Sequence, residues 1–155
     1  MMPEYFEFYN PVKIMCGEAA LENIPYELTR LGAHKIFVLI SRTMLNDGIL
    51  ERIGGLGKAL IETDIPKDSS FAVVKKLAQK ALAAECDGVL AVGGGSVLDT
   101  AKVVRALISQ RKTNPRELLG NEWVQKSSRI IERTPFIMVP TTSGTGSECT
   151  SVAVV

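Results

Sequence analysis

Three consecutive glycines, Gly93, Gly94 and Gly95, stand between the apolar run at residues 87–92 and a helix-like stretch that opens with Ser96 and Asp99. Without Cβ atoms, such a loop lets a phosphate approach the main chain. The unpaired N–H groups of the following first turn then point at it with the positive end of the helix dipole. A second loop, residues 140–148, reads P-T-T-S-G-T-G-S-E after another apolar run. Its hydroxyls and bare amides suit phosphate, ribose and amide recognition, whereas an ordinary turn needs only one or two such residues. The first loop also has a purely structural reading, in which the glycines only permit a tight strand-to-helix turn and Ser96 and Asp99, spaced S-x-x-D, form a capping box. The glycine spacing is neither GxGxxG nor GxxxxGK(S/T), so the usual dinucleotide and Walker fingerprints are absent. Two loops of this kind on one sheet edge favour a dinucleotide cleft.

The elements that must position these loops follow from hydrophobic periodicity. Residues 35–41, K-I-F-V-L-I-S, and residues 87–92 and 136–139 are nearly continuous apolar runs, which is how a strand covered on both faces of a parallel sheet reads. Residues 59–65 make a shorter strand. Between them lie amphipathic stretches. Residues 18–31 carry Leu21, Ile24, Leu28 and Leu31 at helical spacing, with Pro25 predicting a kink or a two-piece helix and Gly32 a stop. Residues 47–56 are helix-like but weakened by Gly54 and Gly55. Ser69 or Ser70 can cap a helix running to about Ala84, with Val73, Val74, Leu77, Ala81 and Leu82 on one stripe. Residues 96–109 form the next helix, burying Val97, Ala101, Val104 and Ile108, and residues 114–119 a short one. Around Asn10 and Pro11, residues 5–8 and 13–16 alternate as a short hairpin or two edge strands would. The terminal S-V-A-V-V at residues 151–155 reads as a strand cut open. Strand and helix in alternation predict an α/β, doubly wound parallel sheet whose binding crevice lies at the carboxyl ends of the strands, where both loops fall.

Composition narrows the function classes. The 155 residues are 46% hydrophobic and 23% charged, a globular composition of single-domain size. A formal net charge of +1 gives no field to collect nucleic acid or anionic lipid, and the cluster Arg111, Lys112 and Arg116 lacks interleaved aromatics. No apolar stretch approaches the roughly 20 residues that cross a bilayer. Cys16, Cys86 and Cys149 are odd in number and unpaired by any CxxC, which fits inert packing thiols in a reducing cytoplasm. His34, the only histidine, has no ligand-spaced neighbours, so it reads as a surface residue rather than a metal ligand.

The string Gly93-Gly94-Gly95-Ser96-x-x-Asp99-x-Ala101-Lys102, followed by Pro140-Thr141-Thr142-x-Gly144-Thr145-Gly146-Ser147-Glu148, closely resembles the iron-containing (group III) alcohol dehydrogenases. The resemblance runs through the whole chain but matches only the N-terminal, nucleotide-binding half of that family. It implies a Rossmann-like dinucleotide-binding domain over residues 1–155, truncated at its C-terminal end and lacking the family's all-helical metal-binding domain. The implied activity is hydride transfer between an alcohol and an aldehyde or ketone with NAD or NADP. A divalent metal, iron or zinc, would be held only in the full-length enzyme, and family habit implies a homo-oligomer. Carried over by position, Gly94, Gly95 and Ser96 would hold the pyrophosphate, with Asp99 near the ribose or nicotinamide side. Thr141 and Thr142 would flank the adenosine half, and Thr145 and Thr150 would line the path to the nicotinamide. Lys102 would neutralise either Asp99 or a phosphate.

One departure bears on the cofactor. The family commonly carries an Asp at the end of the first parallel strand, where it binds the adenosine ribose and repels a 2′-phosphate. Ser41 and Arg42 occupy that region. Losing the carboxylate removes the repulsion, and a guanidinium can pair with a phosphate; the other reading of Arg42 is a solvent-facing side chain. No nucleophile-and-base pair or G-x-S-x-G elbow is present, so the chain by itself is expected to bind nucleotide without turnover. Two other readings share the same loops: a standalone nucleotide-binding module, and a glycerol-dehydrogenase-like or dehydroquinate-synthase-like enzyme.

Overall fold

The computed structural model describes residues 12–119, 134–150 and 152–155. In chain order its elements are α1 (Ile24–Arg30), β1 (Lys35–Ile40), α2 (Arg42–Asn46), α3 (Ile49–Ile53), β2 (Lys58–Glu62), α4 (Phe71–Ala83), β3 (Gly88–Gly93), α5 (Gly95–Ser109), a 3-10 turn at Pro115–Leu118 and β4 (Phe136–Pro140). The strands form one parallel sheet in the order β2-β1-β3-β4. Register sets Phe37 beside Leu60 on one side and Val89 on the other, and Val92 beside Val139.

Two apolar layers sandwich the sheet, as the uninterrupted hydrophobic runs of β1 and β3 require. Phe37, Leu39, Val89 and Ala91 pack with Val74, Leu77 and Ala81 of α4 and Leu98, Ala101, Val104 and Leu107 of α5. Ile36, Val38, Ile40, Leu90 and Val92 meet Ile24 and Leu28 of α1 and Ile53 of α3 on the other face. Leu90 and Leu98 are fully buried, so truncating either to Ala would cost about 2–5 kcal/mol. Among the described residues no helix is long and apolar enough to cross a membrane.

Several sequence expectations are corrected. Pro25 lies in the first turn of α1 rather than kinking it: with its preset φ and no N–H to offer, proline fits a turn whose N–H groups have no helical partner, and residues 17–23 form turns instead. Gly32 does end the helix, at φ +83°. The helix expected at 47–56 is the shorter α3, and a further helical turn, α2, precedes it where none was expected, capped by Ser41, whose Oγ accepts the Met44 N–H at 3.4 Å. Ser70 occupies the N-cap of α4 without a side-chain capping bond, while Ser69 is buried against Thr100 of α5, the two hydroxyl oxygens 2.5 Å apart. Residues 13–16 join no described strand; Lys13 instead donates to Glu27 at 2.7 Å. The other arm of the expected hairpin, residues 5–8, lies outside the described residues. Nor do residues 152–155 form a strand. Of the three thiols, Cys86 is buried, which pushes it up, but Cys16 is exposed and so does no packing.

Candidate functional site

The carboxyl ends of β1, β3 and β4 come together at one edge of the sheet. The Ser41 N–H donates to the Val92 carbonyl at 3.0 Å, and the Thr141 N–H to the Gly93 carbonyl at 3.0 Å. Each loop therefore leaves its strand already registered against its neighbour. From β3 the chain passes through Gly94, extended at φ −80° and ψ −177°, straight into α5. The Gly94 carbonyl accepts the N–H groups of Val97 and Leu98, at 3.0 and 3.1 Å. The amides of Gly95 and Ser96 are left without a partner among the described residues. These are the orphan donors that a helix N-terminus presents to an anion.

Across from them lies the threonine loop. A Cβ on Gly94 would come within 3.2 Å of both the methyl and the hydroxyl of Thr142, and one on Gly95 within 3.3 Å of the Thr145 methyl. The two loops thus face one another, separated by a gap that only bare main chain keeps open. Thr141, Thr142 and Thr145 are exposed, and Ser96 is half-buried. A diphosphate bridge fits this arrangement: free amides at the foot of a 15-residue helix, no side chain on the floor, hydroxyls along the opposite wall.

Asp99 behaves differently from the capping residue its spacing suggests. Gly94 is the N-cap, and the S-x-x-D capping box does not form. One carboxylate oxygen of Asp99 accepts the Ser147 hydroxyl in a short hydrogen bond and the Lys102 ammonium at 3.0 Å. The other accepts the Val154 N–H at 3.0 Å. Lys102 in turn donates to Thr150 Oγ1 at 3.1 Å and to the Val152 carbonyl at 2.7 Å. Burial pushes the Asp99 carboxyl up, but the Ser147 hydroxyl, the Val154 amide and the Lys102 ammonium outweigh it and hold the carboxyl below its ordinary value. The structural reading of Lys102, neutralising Asp99, is the arrangement observed.

Of the sequence-derived candidates, the structure brings Gly94 to Thr142, Gly95 to Thr145, and Asp99, through Lys102, to Thr150. Thr141 joins the same edge by its main chain. Ser41 stands at the end of β1 with its hydroxyl engaged in capping α2, and Arg42 beside it is exposed. Sequence reasoning missed Ser147 as a partner of Asp99, although it lies inside the second motif, and nothing in the sequence marks the Val154 amide. Glu148, which closes that motif, buries one carboxylate oxygen without a hydrogen-bond partner among the described residues. Leaving such an atom unsatisfied costs about 1–3 kcal/mol. No three of His, Cys, Asp and Glu come together as a metal-ligand set among the described residues. His34, exposed, lies with its Nδ1 3.1 Å from Asp87 at the opposite edge of the sheet.

Known proteins share both sequence and fold with the chain. It is 36% identical over 154 residues to the "Probable alcohol dehydrogenase EutG" of Salmonella typhimurium, a match covering 96% of this chain and 37% of that protein. It is 33% identical over 142 residues to a 4-hydroxybutyrate dehydrogenase of Cupriavidus necator, covering 88% and 36%. Among solved structures, NADH-dependent butanol dehydrogenase A of Thermotoga maritima superposes with a TM-score of 0.76 at 26% identity, covering 98% of this chain and 38% of that one. The chain therefore spans a little over a third of the length of these relatives. Residues 11–155 match the family described as iron-containing alcohol dehydrogenase, and the chain belongs to that family, corresponding to its N-terminal half.

Proposed function

We propose that residues 1–155 are the dinucleotide-binding domain of a nicotinamide-dependent alcohol dehydrogenase. The observation that carries this reading is the pair of loops facing each other across Gly94 and Gly95, with the first amides of α5 unspent. In it the amides of Gly95 and Ser96 and the Ser96 hydroxyl bind the diphosphate of NAD(H) or NADP(H), and the bare Gly94 lets it approach the main chain. Thr141 and Thr142 flank the adenosine half, and Thr145 and Thr150 lie along the path to the nicotinamide. Asp99 belongs to the same site, although in the free chain its carboxylate is committed to protein partners.

When bound, the nicotinamide supplies the hydride donor or acceptor for an alcohol and aldehyde pair; the residues of this chain hold and orient it. The relatives support a small alcohol, aldehyde or hydroxy acid as substrate, since they are an alcohol, a hydroxybutyrate and a butanol dehydrogenase by name. The described residues offer no cage for the iron of the family's name. Ser41 and Arg42 support acceptance of a 2′-phosphate: the end of β1 carries a hydroxyl, and an exposed guanidinium follows it. A cytoplasmic location and a homo-oligomeric assembly complete the reading.

Calorimetric titration of the chain with NAD(H) and NADP(H) tests it, with Gly95→Val as the control that fills the gap. Binding by the native chain and its loss in Gly95→Val are expected; equal affinity in both would remove the proposal. Ser41→Asp should shift preference toward NAD(H), and an unchanged NAD to NADP ratio would refute the role of that position.

A further inference from the structure

The diphosphate site needs two loops from different parts of the sequence to stay a fixed distance apart, yet one of them is an exposed run of small polar residues. Apolar contacts hold little of it, since residues 141–145 are all exposed. What fastens it to α5 is polar. The Ser147 hydroxyl donates to Asp99, and the Ser147 N–H to Thr145 Oγ1 at 3.4 Å, so the side chain that stands over Gly95 is two bonds removed from the Asp99 carboxylate. On the far side, Lys102 and Asp99 together take hold of Thr150, Val152 and Val154. The Asp99 and Lys102 side chains are only 15% and 12% exposed, which shields the ion pair from the screening that makes surface pairs weak.

We propose that Asp99 and Lys102 are positioning residues for the cofactor, a latch on one face of α5 that sets the separation between the glycine loop and the threonine loop. This rests on the reading of those loops as the diphosphate site. One helical turn separates the two residues, so their side chains emerge on the same face of the helix that carries the free amides. Its foot and the opposing loop are thereby tied into one unit. Loss of the latch frees residues 145–150 to drift, and a misplacement on the scale of an ångström is enough to cost an order of magnitude or more in a preorganised site. The latch acts on the separation of the two loops, through Ser147 and Thr145, and not as a ligand of the nicotinamide ring.

That distinction is measurable with two ligands of the same chain, ADP and NADH, which share the diphosphate and adenosine but not the nicotinamide. Dissociation constants are taken at a temperature where each variant is fully folded, since a merely stabilising role would move the melting temperature and leave these constants alone. Asp99→Asn and Lys102→Ala should each weaken ADP and NADH by the same factor, about tenfold. The double variant should be no worse than the weaker single by more than about twofold, because both changes open one device. Lys102→Arg, which keeps the charge, should restore most of the affinity. If Asp99→Asn does not fold, Ser147→Ala asks the same question by removing a single hydroxyl, with an equal loss expected for both ligands. Weakened NADH with unchanged ADP would make Asp99 a direct ligand of the nicotinamide side and overturn the latch, as would additive losses or no loss. Should the native chain bind neither ligand, the reading of the site itself fails, an outcome the variants cannot imitate.

Discussion

At the amino edge of the sheet, Asp87 accepts the N–H groups of His34 and Lys35, each at 2.9 Å, and its own N–H donates to the Lys35 carbonyl. At the carboxyl edge, Asp99 accepts a hydroxyl, an ammonium and one distant N–H, while the amides of Gly95 and Ser96 stay unspent. The glycines divide in the same way. A Cβ on Gly88 would sit 2.9 Å from the Ala33 Cβ, inside the packed body, whereas those on Gly94 and Gly95 would meet only threonine side chains on an exposed loop. Both edges thus use an aspartate and a glycine. The amino edge spends them joining β1 to β3, and the carboxyl edge spends them holding a gap. A polar group satisfied by the fold has nothing left for a ligand, so the free amides set the carboxyl edge apart from the amino edge.

Three substitutions test this contrast. The largest effect is expected at Gly94, whose backbone is extended, so that a side chain there meets no φ strain and acts only by filling the gap. Gly94→Val should weaken NADH at least about 100-fold, roughly 2.7 kcal/mol, with little change in melting temperature; a loss below threefold would place the nucleotide elsewhere. Gly88→Ala should do the reverse. Its methyl has to displace the Ala33 Cβ, costing about 1–3 kcal/mol of stability, while affinity in the folded protein stays within about twofold. The smallest effect belongs to Asp87. Burial pushes this carboxyl up, yet the amides of Lys35 and His34 and the His34 ring outweigh that and hold it low. A carboxyl lowered by folding stabilises the native state above its unfolded pKa of about 3.9, and the contribution is lost as pH falls below that toward the folded value. Asp87→Asn should therefore cost about 1 kcal/mol near neutrality, discounted for the half-exposed site. The difference between native and variant stability should shrink as the pH is lowered from 5 toward 3 in denaturant titrations, and a constant difference would refute the assignment.

Much of the fold is legible in the sequence where burial is two-sided. The runs that became β1 and β3 contain no polar residue between Ile36 and Ile40 or between Val89 and Val92, and no amphipathic alternative competes with them. Legibility fails where a local signal has two physical meanings. Pro25 inside an apolar stripe reads as a kink, yet the same missing N–H suits a helix start, and only the packing of Ile24 and Leu28 decides. The five residues of α2 are too few to show a period. At the candidate site, the meeting of the glycine loop with the threonine loop is legible because each follows an apolar strand of one parallel sheet, which puts both at the same edge. The partners of Asp99 are not, since S-x-x-D at a helix start describes a cap equally well, and the competing partner, Ser147, lies in another loop whose approach depends on β4 pairing with β3.

We propose that the free amides at the carboxyl edge bind the dinucleotide. Amide NMR of the isotope-labelled chain, titrated with NADH, tests it most directly. The signals of Gly94, Gly95, Ser96, Thr142 and Thr145 should shift and saturate together, while those of Lys35, Asp87 and Gly88 stay in place. Saturable shifts at the amino edge, with Gly94, Gly95 and Ser96 unmoved, would contradict it.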